Sequence, residues 1–479
     1  MLERKEMSQR SAVSPSEFDA PARKLPQYLA GLASTLGALA AGIVLAWTSP
    51  AGLVVLKVND TEINRLSNEY NIEISPDEFS WIGSLTTLGA AAICIPIGIL
   101  SDLIGRKTAM LLLVIPFIIG WSLIIWSNSI FMFYAGRFVT GLSGGAFCVT
   151  APMYTAEIGE SNIRGRLGSY FQLMLTIGIL FTYALGMAVN IFWLSLIGAT
   201  IPIVFFVTFF FMPETPTYYL IKGNEDAAKI SLFRLRGKNY NIEPELQAQK
   251  ESLAEMKRSQ VSFFIAIRSK AAAKGLIIAF GLMLFQQFSG VNAIIFYAGK
   301  IFTDSGSSMS SEVATIIVGV MQCLAVFVST MIVDRLGRRI LLLISELAMC
   351  LTTLMLGVYF YMKDHAMDVS SIGWLPLVSV CLFIILFSLG FGPIPWMMMG
   401  EIFSSQIKGI AGSAACLFNW LMAFLVTKFF NNITASFGNS VTFWIFSVVC
   451  AIGLIFVFFI VPETKGKTLE QIQLELGRN

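Results

Sequence analysis

Residues 79–107 read FSWIGSLTTLGAAAICIPIGILSDLIGRK. Positions 79–100 carry no charge, and a helix needs only about 20 such residues, at ~1.5 Å each, to cross a bilayer core. The run ends on Asp102-Leu-Ile-Gly105-Arg106-Lys107. The same arrangement returns after the apolar run 312–333, as Asp334-Arg-Leu-Gly337-Arg338-Arg339. Two further signals repeat in the same order. Glu157 with Arg164-Gly165-Arg166 matches Glu401 with Lys408-Gly409, and Pro213-Glu214-Thr215 matches Pro462-Glu463-Thr464. Three paired motifs at equivalent places mark an internal duplication, the sequence signature of carriers that move two bundles about a central site.

Working outward gives twelve apolar stretches: 27–50, 79–100, 108–127, 131–153, 167–189, 191–212, 275–298, 312–333, 340–361, 374–400, 409–430 and 441–461. The gaps between the third and fourth, and between the fifth and sixth, are short enough to require tight hairpins. The expected fold is an all-α membrane protein with twelve transmembrane helices in two pseudo-symmetric six-helix bundles. The bundles are expected at 27–212 and 275–461. Residues 1–26 are expected as an N-terminal tail, 213–274 as a linker of short amphipathic helices, and 462–479 as a C-terminal tail. Six of the 33 basic residues (Lys57, Arg65, Arg137, Lys300, Lys363 and Lys428) fall in outer loops or spans, and the other 27 fall on one side. The positive-inside rule then makes both termini and the linker cytoplasmic.

Composition excludes other classes. The chain is 56% hydrophobic and 13% charged, with a mean hydropathy of +0.73. A soluble domain carries about a quarter charged residues, so the solvent here is lipid. A net charge of +3 with no basic stripe gives no nucleic-acid partner. Seven cysteines scattered through the spans have neither metal-ligand spacing nor a disulfide framework, and no metal or cofactor is expected. A single histidine, His365, lies in a short polar loop. No nucleophile, base and orienting group recur together, so an enzyme is not expected.

The duplicated charges sit at the inner ends of the spans. Asp102, Glu157, Glu214, Asp334, Glu401 and Glu463 share a depth with Arg106, Arg164, Arg166, Arg338, Arg339 and Lys408. Two readings fit. One is a cytoplasmic latch of ion pairs that ties the inner helix ends together and favours an outward-facing state. The other is plain positive-inside anchoring.

Taken together, Gly105-Arg106-Lys107, Glu157 with Arg164-Gly165-Arg166, Pro213-Glu-Thr-Pro216, Asp334 with Gly337-Arg338-Arg339, and Pro462-Glu-Thr-Lys-Gly466 resemble the sugar porters of the major facilitator superfamily. The resemblance runs from about 27 to 470 and is strongest to facilitative glucose transporters and insect facilitated trehalose transporters. It implies the major facilitator fold, a small-molecule sugar as cargo and a plasma-membrane location. A sugar offers hydroxyls around apolar faces, so its mid-membrane site needs amides and an aromatic platform. Span seven carries Gln286-Gln287-Phe-Ser289-Gly290-Val-Asn292, and amides there are costly unless they face a cavity or partner helices. The similar segment of sugar porters binds sugar, which carries over to Gln286, Gln287 and Asn292. A break near Ser289-Gly290 would bring Gln287 and Asn292 onto one side. Gln172 in span five, Tyr297, Gln322 in span eight, Trp396 in span ten, and Asn419-Trp420 in span eleven complete the expected site. Span ten reads Gly390-Phe-Gly392-Pro393-Ile-Pro395-Trp396, which breaks a helix and frees carbonyls. The chain departs from the family's pattern at Ser388, where many relatives carry an acid, at Phe296 in place of tyrosine, and at Thr217 in place of arginine.

Proton-coupled sugar porters carry an aspartate in span one opposite an arginine in span four. Span one here has Ile43-Val44-Leu45 in that stretch and no acid. Arg137 is kept and is expected to snorkel outward. Glu346 is expected to be neutralised by Arg338 or Arg339. The expected activity is therefore passive uniport; proton-coupled symport of a sugar or polyol and a non-transporting sugar sensor are the alternatives. Asn59-Asp-Thr61, in the long outer loop, fits the N-glycosylation acceptor pattern.

Overall fold

The computed structural model describes residues 21–58, 61–160, 162–259, 269–306, 309–403, 407–467 and 469–478. The first six spans are Leu25–Ala46, Pro76–Ile104, Arg106–Leu112 with Val114–Ile125, Ile130–Ile158, Arg164–Ala188 and Ile191–Phe210. The next four are Lys270–Phe288 with Val291–Ser305, Ser311–Leu336, Arg338–Asp364, and Leu375–Leu389 with Ile394–Ile402. The last two lie within Lys408–Ile460. That stretch is broken at Gly438, at φ 84° and ψ 163°. The rings of Phe430 and Phe446 stack 6.3 Å apart across the break. A straight helix would separate them by roughly 24 Å, so the chain doubles back there.

Among the described residues, ten helical stretches are long and apolar enough to cross a membrane, with Gly409–Ile460 counted as one. The fourth span is not among them, because Arg137, Glu157 and a run of glycines, serines and threonines lower its hydropathy. At 29 residues it is as long as the second span, against which it packs. Twelve spans result among the described residues, several of them longer at both ends than the apolar runs alone indicated. Caps fix some of their starts. Ser75 and Glu78 form a reciprocal capping box ahead of Pro76, and Asn190 and Ser310 cap spans six and eight.

Glycine lets the spans meet at backbone distance. A side chain on Gly42 would strike the Leu175 carbonyl, one on Gly178 the Leu39 carbonyl, and one on Gly141 the backbone of Thr86. Lipid supplies no hydrophobic force between helices, so such close packing holds them instead. Large apolar side chains such as Ile99, Ile203, Val207, Ile452 and Phe459 remain exposed on the lipid-facing surface. One departure from an all-helical chain is a small antiparallel hairpin, Val54–Val58 with Thr61–Asn64, in the loop after span one. Asn59 lies outside the described residues.

The segment between the halves forms helices Pro216–Ile221, Glu225–Arg236 and Glu243–Ser259. It docks on the first half. Arg236 is buried, bonds Glu245 at 2.6 Å, and donates to the Ile158 carbonyl at 2.7 Å. A final helix spans Leu469–Arg478.

Candidate functional site

The two Gly-Arg turns define one end of the molecule, here the basic end. At each, glycine adopts positive φ (Gly105 at 103°, Gly337 at 97°) and opens the next span. The duplicated glutamates meet these turns in the same way in both halves. Glu214 accepts the Lys107 backbone N–H at 2.9 and 3.0 Å. Glu463 accepts those of Arg338 and Arg339 at 3.0 and 3.1 Å. Each carboxylate therefore caps a helix N-terminus, where the backbone dipoles favour negative charge, and pairs with no arginine side chain among the described residues. Burial works to raise the Glu463 carboxyl, but the backbone N–H bonds outweigh it and hold it below its usual range.

The arginines pair with the span-four and span-ten glutamates. Arg106 lies 3.0 Å from Glu157 and 2.9 Å from Asp102, and Arg338 lies 3.0 Å from Glu401. All these pairs stay within one half. Arg164 and Arg166 are exposed, and Arg164 donates only to the Gly159 carbonyl among the described residues. Arg339 reaches the Phe458 carbonyl. The side chains of Asp334 and Lys408 lie outside the described set. In this conformation the basic end therefore shows no ion pair between the halves among the described residues.

The opposite end is bonded across the halves. Lys428 of span eleven donates to Asp77 at 2.6 Å and to Ser80 at 2.8 Å, both on span two, and lies 4.7 Å over the Trp81 ring. Asn432 donates to the same carboxylate at 3.3 Å. The Gly299 N–H donates to Ser49, and the Tyr183 hydroxyl to the Ile295 carbonyl. The sequence reading missed this layer. Its signal was present: a lysine inside an apolar span is expensive, and marks a site by default.

Between the two ends, the amides of span seven form one chain. Gly290, at φ 91°, breaks the helix after Phe288, and the break brings Asn292 back to Gln287, 2.5 Å away. Gln287 donates to Asn419 at 3.1 Å, and Asn419 donates to Gln286 at 2.8 Å. Gln286 then donates to the Phe391 and Gly392 carbonyls at 2.7 and 3.0 Å. Those carbonyls are free because Pro393 and Pro395 carry no N–H and span ten unwinds there. The Phe391 N–H in turn binds Ser345 at 3.2 Å. Spans seven, ten and eleven are thus joined through side chains that can all exchange partners with hydroxyls.

The other expected site residues are placed around this chain rather than in it. Gln322 is buried and Gln172 half-buried, and neither side chain is hydrogen-bonded among the described residues. Trp396, beyond the break in span ten, is 38% exposed. Trp420 faces Gly141, Gly144 and Gly145 of span four across a small void, with its indole N–H unpaired. Tyr297 lies apart from the amides. Its hydroxyl donates to the Thr427 carbonyl at 2.9 Å, and its ring stacks on Phe430.

Two expectations about charge are corrected. Arg137 does not snorkel; it is fully buried. It donates to the Ile82 carbonyl, the Val44 carbonyl and the Thr48 hydroxyl at 3.1, 2.8 and 2.9 Å, and lies over Trp47. Its partners are neutral because span one offers no acid. Glu346 is not neutralised by Arg338 or Arg339, which are engaged elsewhere. It is buried, with Gly453 and Phe285 close by.

Residues 50–476 match the family described as "Sugar (and other) transporter". A facilitated trehalose transporter of Polypedilum vanderplanki is 43% identical, over 94% of this chain and 88% of the relative. Another, of Anopheles gambiae, is 42% identical over 94% of this chain, which spans only 56% of that relative's length. Among solved structures, the proton:xylose symporter XylE bound to 6-bromo-6-deoxy-D-glucose superposes with a TM-score of 0.74. That pair is 23% identical over 94% of this chain and 99% of the other, which speaks to the fold alone. On the family match and these relatives, the chain belongs to the sugar transporter family and has the major facilitator fold.

Proposed function

We propose that this protein is a facilitative sugar transporter that works by alternating access, with trehalose or a hexose such as glucose as its cargo. The observation that carries the reading is the continuous amide chain Asn292–Gln287–Asn419–Gln286 with the freed carbonyls of span ten. These amides satisfy one another. A sugar hydroxyl therefore exchanges for an existing bond, so each exchange contributes little net free energy. Weak binding suits a carrier, which must release what it binds.

Passive transport follows from Arg137. Its hydrogen-bond partners are two carbonyls and a hydroxyl, and no carboxylate pairs with it among the described residues. Relatives named as facilitated trehalose transporters support the same reading. The cross-half bonds at the Lys428 end and their absence at the basic end among the described residues fit a carrier closed on one side. We take the basic end as cytoplasmic, with both termini there, the domain limits as read from the sequence, and the plasma membrane as the location. The duplicated glutamate caps and Arg–Glu pairs then brace the inner helix ends within each half.

Uptake of a panel of labelled sugars by oocytes expressing the protein tests this, together with counterflow. Saturable uptake of trehalose or a hexose, with counterflow, is expected. A chain that reaches the surface and moves no sugar contradicts it.

A further inference from the structure

Behind the Lys428–Asp77 pair lies a cavity of about 60 Å³ between the two halves. The first half contributes Ser49, Asn64, Pro76 and Phe79, among others; the second contributes Phe296, Tyr297, Lys300 and Asn431. As it stands the cavity has room for a few waters and not for a sugar ring. Its lining is nonetheless chemically specific. Asn431 is only 6% exposed, and its side-chain oxygen has no hydrogen-bond partner among the described residues. A buried amide oxygen left unpaired is costly, so something polar belongs there. Lys300 makes no ion pair among the described residues and adds a donor. Phe79 and Tyr297 pack 6.5 Å apart across the interface and supply apolar faces.

The position of the cavity matters as much as its chemistry. Tyr297 follows Asn292 by five residues, roughly 7 Å along a helix, so the cavity lies one ring's length beyond the amide chain, away from the basic end. Pro76 precedes Asp77, and Asn431 sits one turn beyond Lys428. Parting the Lys428–Asp77 pair would therefore move residues that line this cavity.

We propose that, when the halves part at this end, the cavity becomes a subsite for the second ring of a two-ring sugar. Asn431 and Lys300 bind its hydroxyls, Phe79 and Tyr297 hold its apolar face, and the first ring lies on the span-seven amides. The subsite rests on the transport function proposed above. It would favour a disaccharide over a hexose on entry from the Lys428 side, whereas a hexose would need only the amide chain.

The test is initial-rate uptake of labelled trehalose and labelled glucose by oocytes, normalised to surface protein, for the wild type, Asn431→Ala and Lys300→Gln. Each variant is expected to raise the ratio of the trehalose KM to the glucose KM at least fivefold. Trehalose efflux should show a smaller change in KM, because the sugar then loads from the other side. An unchanged ratio in both variants overturns the subsite, as does an equal shift for uptake and efflux. Lys300→Gln keeps the test decisive if Asn431→Ala fails to reach the surface, because Lys300 is only half-buried. A wild type that moves glucose but not trehalose also overturns the subsite and leaves the transport function intact. A wild type that moves no sugar overturns both.

Discussion

Lys428 and Asp77, 351 residues apart in sequence, meet at 2.6 Å and join span eleven to span two. The lysine is nearly buried, with a side-chain exposure of 6%, while the aspartate is 57% exposed. The pair is thus neither a surface bridge, worth roughly 0–1 kcal/mol, nor a fully desolvated one. A bias of about 1–2 kcal/mol toward closure at this end is reasonable, a factor of roughly 5–30 in the balance of states. Lys428→Ala should shift that balance toward opening. A cysteine placed at Ile74, which lines the cavity behind the pair, should then label several-fold faster with a membrane-impermeant thiol reagent. An unchanged labelling rate would show that the pair does not hold the halves together.

The amide chain makes graded predictions. Asn292 sits at one end and loses one bond when truncated, while Asn419 lies in the middle and bonds both Gln286 and Gln287. Asn292→Ala should weaken sugar binding by about 1–2 kcal/mol, and Asn419→Ala by more, because it removes one bond from each of two buried amides. Binding to purified protein, read with a labelled sugar, distinguishes the two. Equal and small losses would place the sugar elsewhere.

The Glu463 cap gives a pH dependence with a definite sign. Its carboxyl is held below the usual range in the folded protein, so its contribution is present above the unfolded value of about 4.3. That contribution is lost as pH falls through the folded value. Glu463→Gln should therefore lower the melting temperature of the detergent-solubilised protein by a few degrees at pH 7. The gap to wild type should close as the pH is lowered below about 4. A gap that persists in acid would mean that the charge plays no part.

Much of this was legible in the sequence because it depends on local pattern. Apolar run lengths located the spans, and Gly290 next to Ser289 marked the break that returns Asn292 to Gln287. Duplication exposed the glutamates of the Pro-Glu-Thr motifs, but not their partners. Backbone N–H groups are invisible in a sequence, so Glu214 and Glu463 were read as partners for arginines. Arg137 was misread for a similar reason, since carbonyls of spans one and two satisfy it and no acidic residue flags them. Span four was legible as the apolar run 131–153, although Arg137, Glu157 and its small residues put it below the hydropathy of its neighbours, and the structure extends it to Ile130–Ile158. The Lys428–Asp77 contact joins two halves far apart in the chain, and nothing local to either residue announces the other.

Passive sugar transport is the reading that rests on Arg137, whose partners are carbonyls and a hydroxyl. Its most direct test is initial-rate sugar uptake into proteoliposomes of purified protein, with trehalose and glucose, at equal pH and with an imposed inward proton gradient. The account predicts saturable uptake that stops at equal concentrations and is unchanged by the gradient or by an uncoupler. Accumulation above equilibrium that is driven by the gradient and abolished by the uncoupler would contradict it.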